Sequence, residues 1–384
     1  MNDLSRSLTA LSQDSTLIAV IEMGLKSWLV GAILPGVDRQ PVKKLDPDEE
    51  SLLKLLHRWR AEAALAGRPV ARLCVAYEAG RDGFWLARWL GMRGIEAYVI
   101  HPTSIPVSRK RRRAKTDRLD VGLLLRAFLG WLRGEAKHCS MAAVPTLAEE
   151  DAKRPSRERE SLVGERTRIV NRMKGTLIRW GIRGFKPTLR KAAAKLETLR
   201  TPEGVTLPPH TRAELQHDMA RLQLVTEQIK VLEAARLERL ERVPDEGPHA
   251  MIRLLARVIG VGIETADMLV NEVLQRNLRD RRAVARYAGL TGSPDESGSK
   301  RREKGLARAG NARVRRAMIQ LAWRWLMFQK DSGLAQWYRA RTADARGDTR
   351  KTLIVALARK LLIELWRLAT TGQFPAGLAL HPAP

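Results

Sequence analysis

Apolar positions fall into two patterns along this chain, and the first is a series of short runs. Leu17 to Glu22 and Trp28 to Leu34 are apolar or β-branched and are separated by Met23-Gly24-Leu25-Lys26, which predicts two strands and a turn. Ala71 to Tyr77 and Ile95 to Ile100 predict two more strands. Asp46 to Ala66 places Leu52, Leu53, Leu55, Leu56 and Trp59 on one face and predicts a helix, as do Arg81 to Met92 and Leu119 to Leu132. Strands followed by alternating helix and strand imply an α/β domain, a mixed sheet flanked by helices, over 15–140 after a polar leader at 1–14.

The second pattern is helical and long. Thr146 to Trp180 and Ala213 to Arg242 are rich in Leu, Glu, Arg and Ala, and Leu215, Met219, Leu222, Val225, Ile229 and Leu232 recur at spacings of three or four. Two long helices joined by Phe185 to Pro209 predict a hairpin or coiled-coil arm over 141–245, a spacing or dimerising element rather than a catalytic one. Val243-Pro244-Asp245-Glu246-Gly247-Pro248 reads as a linker, followed by a mainly helical, all-α domain at 246–372 and a tail at 373–384.

Charge narrows the function. The 384 residues carry 69 Lys+Arg against 42 Asp+Glu, a formal net charge of +27, which calls for a polyanionic partner. The apolar run from Leu17 to Val37 carries Glu22 and Lys26 near its middle, so no membrane association is expected. The N-terminal residues lack the pattern of a secretory signal, and a cytoplasmic, nucleoid-associated protein is expected. Cys74 and Cys139 make neither a disulfide framework nor, with seven scattered His, a zinc site.

Four carboxylates stand out. Glu22 and Glu78 each end an apolar run, where a buried strand emerges, and Asp117 and Asp120 lie three residues apart at the start of a helix, hence on one face. Oxygen ligands so placed can bind hard divalent cations that serve phosphoryl transfer. A helix N-terminus also favours Asp117 and Asp120 through its dipole alone. Arg109, Lys110, Arg111, Arg112, Arg113 and Lys115 directly precede the aspartates, which favours phosphate positioning over an idle solvated run.

Farther on, Gly260 and Gly262 form a Gly-apolar-Gly turn between helical runs, as in a helix-hairpin-helix element that offers backbone N–H groups to a phosphate; a tight packing turn has the same sequence. Arg286 to Lys304 breaks a helix with a Gly/Ser/Pro loop, followed by basic residues that include Lys300, Arg301, Arg302, Arg315 and Arg316. A loop serine beside guanidinium groups can attack a phosphate, and Ser293, Ser297 and Ser299 are equivalent on chemistry alone.

The element order resembles the ribonuclease H-like fold. Ile21-Glu22-Met23-Gly24-Leu25-Lys26, Tyr77-Glu78-Ala79-Gly80, His101-Pro102, Ala114-Lys115-Thr116-Asp117-Arg118-Leu119-Asp120, Ile259-Gly260-Val261-Gly262, Tyr287-Ala288-Gly289-Leu290-Thr291 and Glu296-Ser297-Gly298 occur in order. Together they resemble the DEDD-type insertion-sequence transposases, the bridge-RNA-guided recombinases, over nearly the whole chain. The resemblance implies a RuvC-like N-terminal domain, a coiled-coil arm and a C-terminal transposase domain. Glu22, Glu78, Asp117 and Asp120 are then the tetrad for Mg2+, with Mn2+ as the substitute ion, and Ser297, before Gly298, is the nucleophile. The implied partners are the DNA of element ends and target, an element-encoded guide RNA, and further copies of the chain in a dimer or tetramer. The family's first tetrad position is usually Asp, and Glu22 lengthens that ligand by one methylene. Two other readings compete: a RuvC-like nuclease that uses metal-activated water, indifferent to Ser297→Ala, and a non-enzymatic RNA- or DNA-binding scaffold, indifferent to every carboxylate substitution.

Overall fold

The computed structural model describes residues 7, 9–78, 80, 83–101, 104–105, 117–135, 138–276, 278–297, 300–306, 309–344 and 347–382, excluding the side chains of 117–118, 293–297, 300–304 and 348. Arg109 to Arg113, Lys115, Gly298 and Ser299 therefore lie outside the described residues. The chain divides into two compact units, 1–147 and 148–384.

The first unit is built on β1 (Thr16–Met23), β2 (Trp28–Ile33), β3 (Val42–Leu45), β4 (Arg72–Glu78), β5 (Glu96–Ile100) and β6 (Met141–Ala142), in sheet order β3-β2-β1-β4-β5-β6. β1, β2 and β3 are antiparallel neighbours, β4 runs parallel to β1, β5 parallel to β4, and β6 antiparallel to β5. The central runs are continuously apolar because both sheet faces are covered. On one face Leu17, Ala19, Ile21, Val75 and Tyr77 pack with Leu52, Leu56 and Trp59 of α1 (Glu49–Leu65) and Leu86 and Leu90 of α2 (Trp85–Gly91). On the other, Ile18, Val20, Cys74 and Ala76 pack with Val121, Leu125 and Phe128 of α3 (Asp117–Leu132). Asp48 caps α1 by accepting from the Ser51 N–H at 2.6 Å. Cys74 and Cys139 are free and buried, and burial pushes both thiols up to about 12, so neither is a thiolate at neutral pH.

The second unit begins with an antiparallel helical hairpin. α5 (Arg154–Arg179) and α7 (Pro209–Arg242) bury Leu162, Ile169, Met173 and Leu177 against Leu215, Met219, Leu222, Val225 and Ile229. Their direction is read from two cross-links, Arg159 to Glu233 and Arg172 to Asp218. The body that follows comprises α8 (Gly247–Ala256), α9 (Ile263–Leu269), a π-helical turn (Val270–Leu274), α10 (Arg281–Tyr287), a hairpin of β7 (Gly292–Ser297) and β8 (Lys300–Leu306), and α11 (Ala312–Phe328), α12 (Gly333–Thr342) and α13 (Gly347–Thr371). Its core centres on fully buried Trp325, whose indole N–H donates to Ser332 Oγ at 2.9 Å. Two short helices complete the set, α4 (Leu147–Asp151) and α6 (Ala192–Glu197). Among the described residues no helix is long and apolar enough to cross a membrane.

The expected strands and long helices are present. The structure adds β3, β6 and α6, and it turns the expected Gly/Ser/Pro loop into the β7–β8 hairpin. It also breaks the first long helix between α4 and α5, at Ala152-Lys153.

Gly31 sets how close α3 lies to the sheet. A Cβ there would stand 2.4 Å from Val121 Cγ1, closer than two carbons can approach. Gly31→Ala is therefore expected to destabilise the chain by about 1–3 kcal/mol in urea unfolding, and Val121→Ala in the same chain to recover part of that loss. An unchanged midpoint in the single variant would show that α3 has slack over β2.

Candidate active site

The register of β1 and β4 brings two of the four carboxylates together. Ile21 pairs with Tyr77, so Glu22 and Glu78 each follow a paired residue at equivalent positions on adjacent parallel strands, about 4.8 Å apart in strand spacing. Alternation puts both on the face occupied by Ile18, Val20, Cys74 and Ala76, the face that α3 covers. Both are half-buried. α3 starts over the same end of the sheet: Val121 sits against Gly31, and Gly31 pairs with Val20, two residues before Glu22. Asp120, half-buried, precedes sheet-facing Leu124 by one helical turn. Asp117 is the first residue of α3, and its side chain lies outside the described residues. Among the described residues no group of three or more His, Cys, Asp and Glu side chains is close enough to hold a metal ion.

Ser297 belongs to the second unit. It is the last residue of β7 and pairs with Lys300, the first of β8, so it stands at the tip of the hairpin. Its side chain, like those of Ser293, Lys300, Arg301 and Arg302, lies outside the described residues; Ser293 lies near the hairpin's foot. The two feet of the hairpin cross closely. Gly289 has φ +65 and would direct a Cβ to 2.0 Å from the Ala309 carbonyl oxygen; Gly310 has φ +81 and would direct one to 2.5 Å from the Arg286 carbonyl. Only glycine combines these backbone conformations with that approach. This is the physical role of Gly289 in Tyr-Ala-Gly-Leu-Thr.

Beside the crossing lies an ionic seam that joins the arm to the body. Glu272, 1% exposed, accepts from Arg157 of α5 at 2.8 and 3.2 Å and from Asn311 Nδ2 at 3.1 Å, with Arg313 at 3.7 Å. Asn311 also donates from Nδ2 to Tyr287 Oη at 3.2 Å and from its backbone N–H to the Tyr287 carbonyl at 2.6 Å, while its Oδ1 caps α11. Burial alone would raise the Glu272 pKa, but the Arg157 hydrogen bonds and the charges of Arg157, Arg313 and Lys153 outweigh it and hold it below the usual range. Nearby, buried Asp267 accepts from Ser156 at 2.6 Å and faces Arg236 at 3.3 Å, and Arg236 also pairs with Glu264. From sequence the arm is expected to space or dimerise, with no ionic tie to the body. The missed signal is Asn271-Glu272 inside the otherwise apolar Met268 to Leu274.

The other expected contact residues divide by role. Arg315 donates to the Ala309 carbonyl at 3.1 Å and Arg316 pairs with Glu160 of α5 at 2.6 Å, so both make internal contacts. Gly260 has φ +92 and packs on Phe328, with 3.2 Å between its ideal Cβ and that side chain, whereas Gly262 faces open space at the start of α9.

Comparison with known proteins defines the class. Residues 252–339, from α8 through most of α12, match the family model described as "Transposase IS116/IS110/IS902 family". The chain is 41% identical over 393 aligned positions to "Putative transposase y4rJ" of Sinorhizobium fredii, covering 99% of this chain and 98% of that protein. It is also similar to the transposase for insertion sequence element IS1328 of Yersinia enterocolitica (25% identity; 78% and 84% of the two chains). A further relative is the transposase for insertion sequence element IS1111A of Coxiella burnetii (27%; 83% and 85%). This chain belongs to the IS116/IS110/IS902 family of transposases.

The seam makes a pH-dependent prediction. Glu272→Gln leaves Arg157 and Arg313, each about a third exposed, facing a neutral amide and is expected to lower stability at neutral pH by about 1–3 kcal/mol. A carboxylate with a depressed folded pKa stabilises above its unfolded value, near 4.5, and loses that contribution as pH falls through the folded value. The gap between wild type and variant should therefore close below about pH 4.5. Denaturant unfolding at several pH values checks this, and a gap independent of pH would remove Glu272's charge from the account.

Proposed function

We propose that this transposase cuts and exchanges DNA strands through Ser297. In this reading Glu22, Glu78, Asp117 and Asp120 form a divalent-metal site in a ribonuclease H/RuvC-like domain. The observation that carries the reading is the placement of Glu22 and Glu78 side by side on β1 and β4, on the face that the N-terminal end of α3 covers. The sheet order β3-β2-β1-β4-β5, antiparallel on one side of β1 and parallel on the other, supports the fold assignment.

The donor set suits Mg2+ or Mn2+, because it consists of carboxylate oxygens alone and hard ions prefer them. When bound, such ions polarise the phosphoryl oxygens and stabilise charge on the leaving oxygen. Glu22, Glu78, Asp117 and Asp120 would hold them. Ser297 Oγ attacks phosphorus, a new P–Oγ bond forms as the bond to the leaving nucleotide oxygen breaks, the serine proton passes to a base in solution, and the leaving oxygen takes up a proton. The strand is then held as a phosphoserine, and attack by an incoming strand's hydroxyl reverses the step and frees the serine. Ser297 suits this role because it ends β7, at the turn of the hairpin. The carboxylates and the serine belong to separate compact units, so the reading requires them to meet, between copies of a homo-oligomer. The charge of +27 supports binding of DNA, and of an element-encoded guide RNA, through their phosphates.

Incubated with Mg2+ and DNA of the element's ends, the wild type is expected to give detergent-resistant protein–DNA adducts, and Ser297→Ala none, with binding retained. Glu78→Gln and Asp120→Asn should each lower strand cleavage by about a hundredfold or more. Adducts that persist in Ser297→Ala would exclude this serine, and metal-dependent cleavage without adducts would mark water as the nucleophile.

A further inference from the structure

A second set of basic residues, none of them among the contact residues considered above, lines a cleft. α10 and α13 pack side by side and border this open cleft of about 560 Å3, whose lining includes Thr291 and Gly292, where β7 begins. Its walls carry Arg281, Arg282 and Arg286 from α10, and Arg359, Lys360 and Arg367 from α13, against one carboxylate, Glu364. Glu364 is engaged by Arg367 at 2.9 Å, and Lys360 rests over the Trp337 ring at 4.9 Å. Arg281, Arg282, Arg286 and Arg359 make no side-chain hydrogen bond or ion pair among the described residues.

Like charges gathered on one wall destabilise a helix, and Arg282 and Arg286 stand at i and i+4. The same body elsewhere neutralises its arginines internally, as Arg313 and Arg316 do against Glu160. With Glu364 as the one acid among the described lining residues, the cluster carries a surplus of positive charge that an external anion matches, and arginine's planar fork suits phosphate oxygens. The cleft floor, Ala285 and Ile363, is apolar and suits the sugar face of a backbone.

We infer that this cleft grips the phosphodiester backbone of the DNA on which the hairpin acts. DNA is favoured over RNA because the cleft is continuous with β7: from Gly292 to Ser297 is at most about 17 Å of strand, about five nucleotides of duplex rise. A strand held here lies within reach of the hairpin tip. The choice of DNA rests on the proposed role of Ser297; the phosphate site itself rests on the cleft.

The test uses the full chain carrying Arg282→Gln, Arg286→Gln and Arg359→Gln together. Its reference variant carries Arg168→Gln, Lys174→Gln and Arg179→Gln, all exposed on α5. The probe is a duplex DNA of about 30 base pairs, with single-stranded RNA of the same length in parallel, titrated across salt. The cleft variant is expected to bind DNA about tenfold or more weakly near physiological salt. Its slope of log affinity against log salt should be shallower by about 2–3, while the reference keeps the wild-type slope. Equal slopes in wild type and cleft variant, or equal losses in the two variants, would overturn the cleft as a phosphate site. Loss confined to RNA would overturn DNA as its occupant. Ser297→Ala, titrated alongside, separates the two proposals: its adducts report on the nucleophile and its salt slope on the cleft.

Discussion

One buried carboxylate fixes the geometry of the second unit. Glu272 lies on the π-helical turn, 1% exposed, and gathers Arg157 from the arm and Asn311 from the start of α11. Asn311 in turn holds Tyr287, so the two ends from which the hairpin rises, 287–290 and 309–311, are tied together and to α5. A charge so deeply buried is tolerable only with its partners in place. The arm, the hairpin's feet and α11 therefore form one arrangement that cannot loosen piecemeal. The pair of glycines at the crossing, Gly289 and Gly310, makes the same demand on the backbone.

In the first unit the controlling constraint is register. Because a strand's side chains alternate, the parallel pairing of Ile21 with Tyr77 places Glu22 and Glu78 on one face; a slip of one residue would divide them between faces. The apolar residues before them, buried against α1, α2 and α3, fix that register. Gly31 then lets α3 settle close enough that its first turn, with Asp117 and Asp120, begins over the same sheet end. The chemistry proposed for these residues is thus positioned by the apolar packing of their neighbours in sequence, Ile21, Tyr77 and Val121 among them.

Much of this was legible before any coordinates. β1, β2, β4 and β5 are apolar runs, and the arm's three-and-four spacing matches its buried face. What escaped has physical causes. β3 is an edge strand whose Lys43 and Lys44 are exposed, so it shows little apolar pattern. The β7–β8 hairpin contains Gly, Pro, Ser and charged residues without apolar alternation, so it carries no strand signal in its sequence. Glu272 escaped because burial of a carboxylate depends on partners 115 and 39 residues away, Arg157 and Asn311, which no local window contains. The four carboxylates were visible as two strand ends and one helix start, but the adjacency of Glu22 and Glu78 is a property of sheet topology.

The central claim is that a hairpin serine becomes the covalent link to DNA. The most direct measurement is to trap the wild-type chain on DNA in Mg2+, digest the complex with protease and nuclease, and locate the residual nucleotide by mass spectrometry. The account predicts a phosphodiester on the peptide that spans Gly292 to Lys300, carried by Ser297 rather than Ser293 or Ser299. A nucleotide on any other residue, or none on a chain that still cuts DNA, would contradict it.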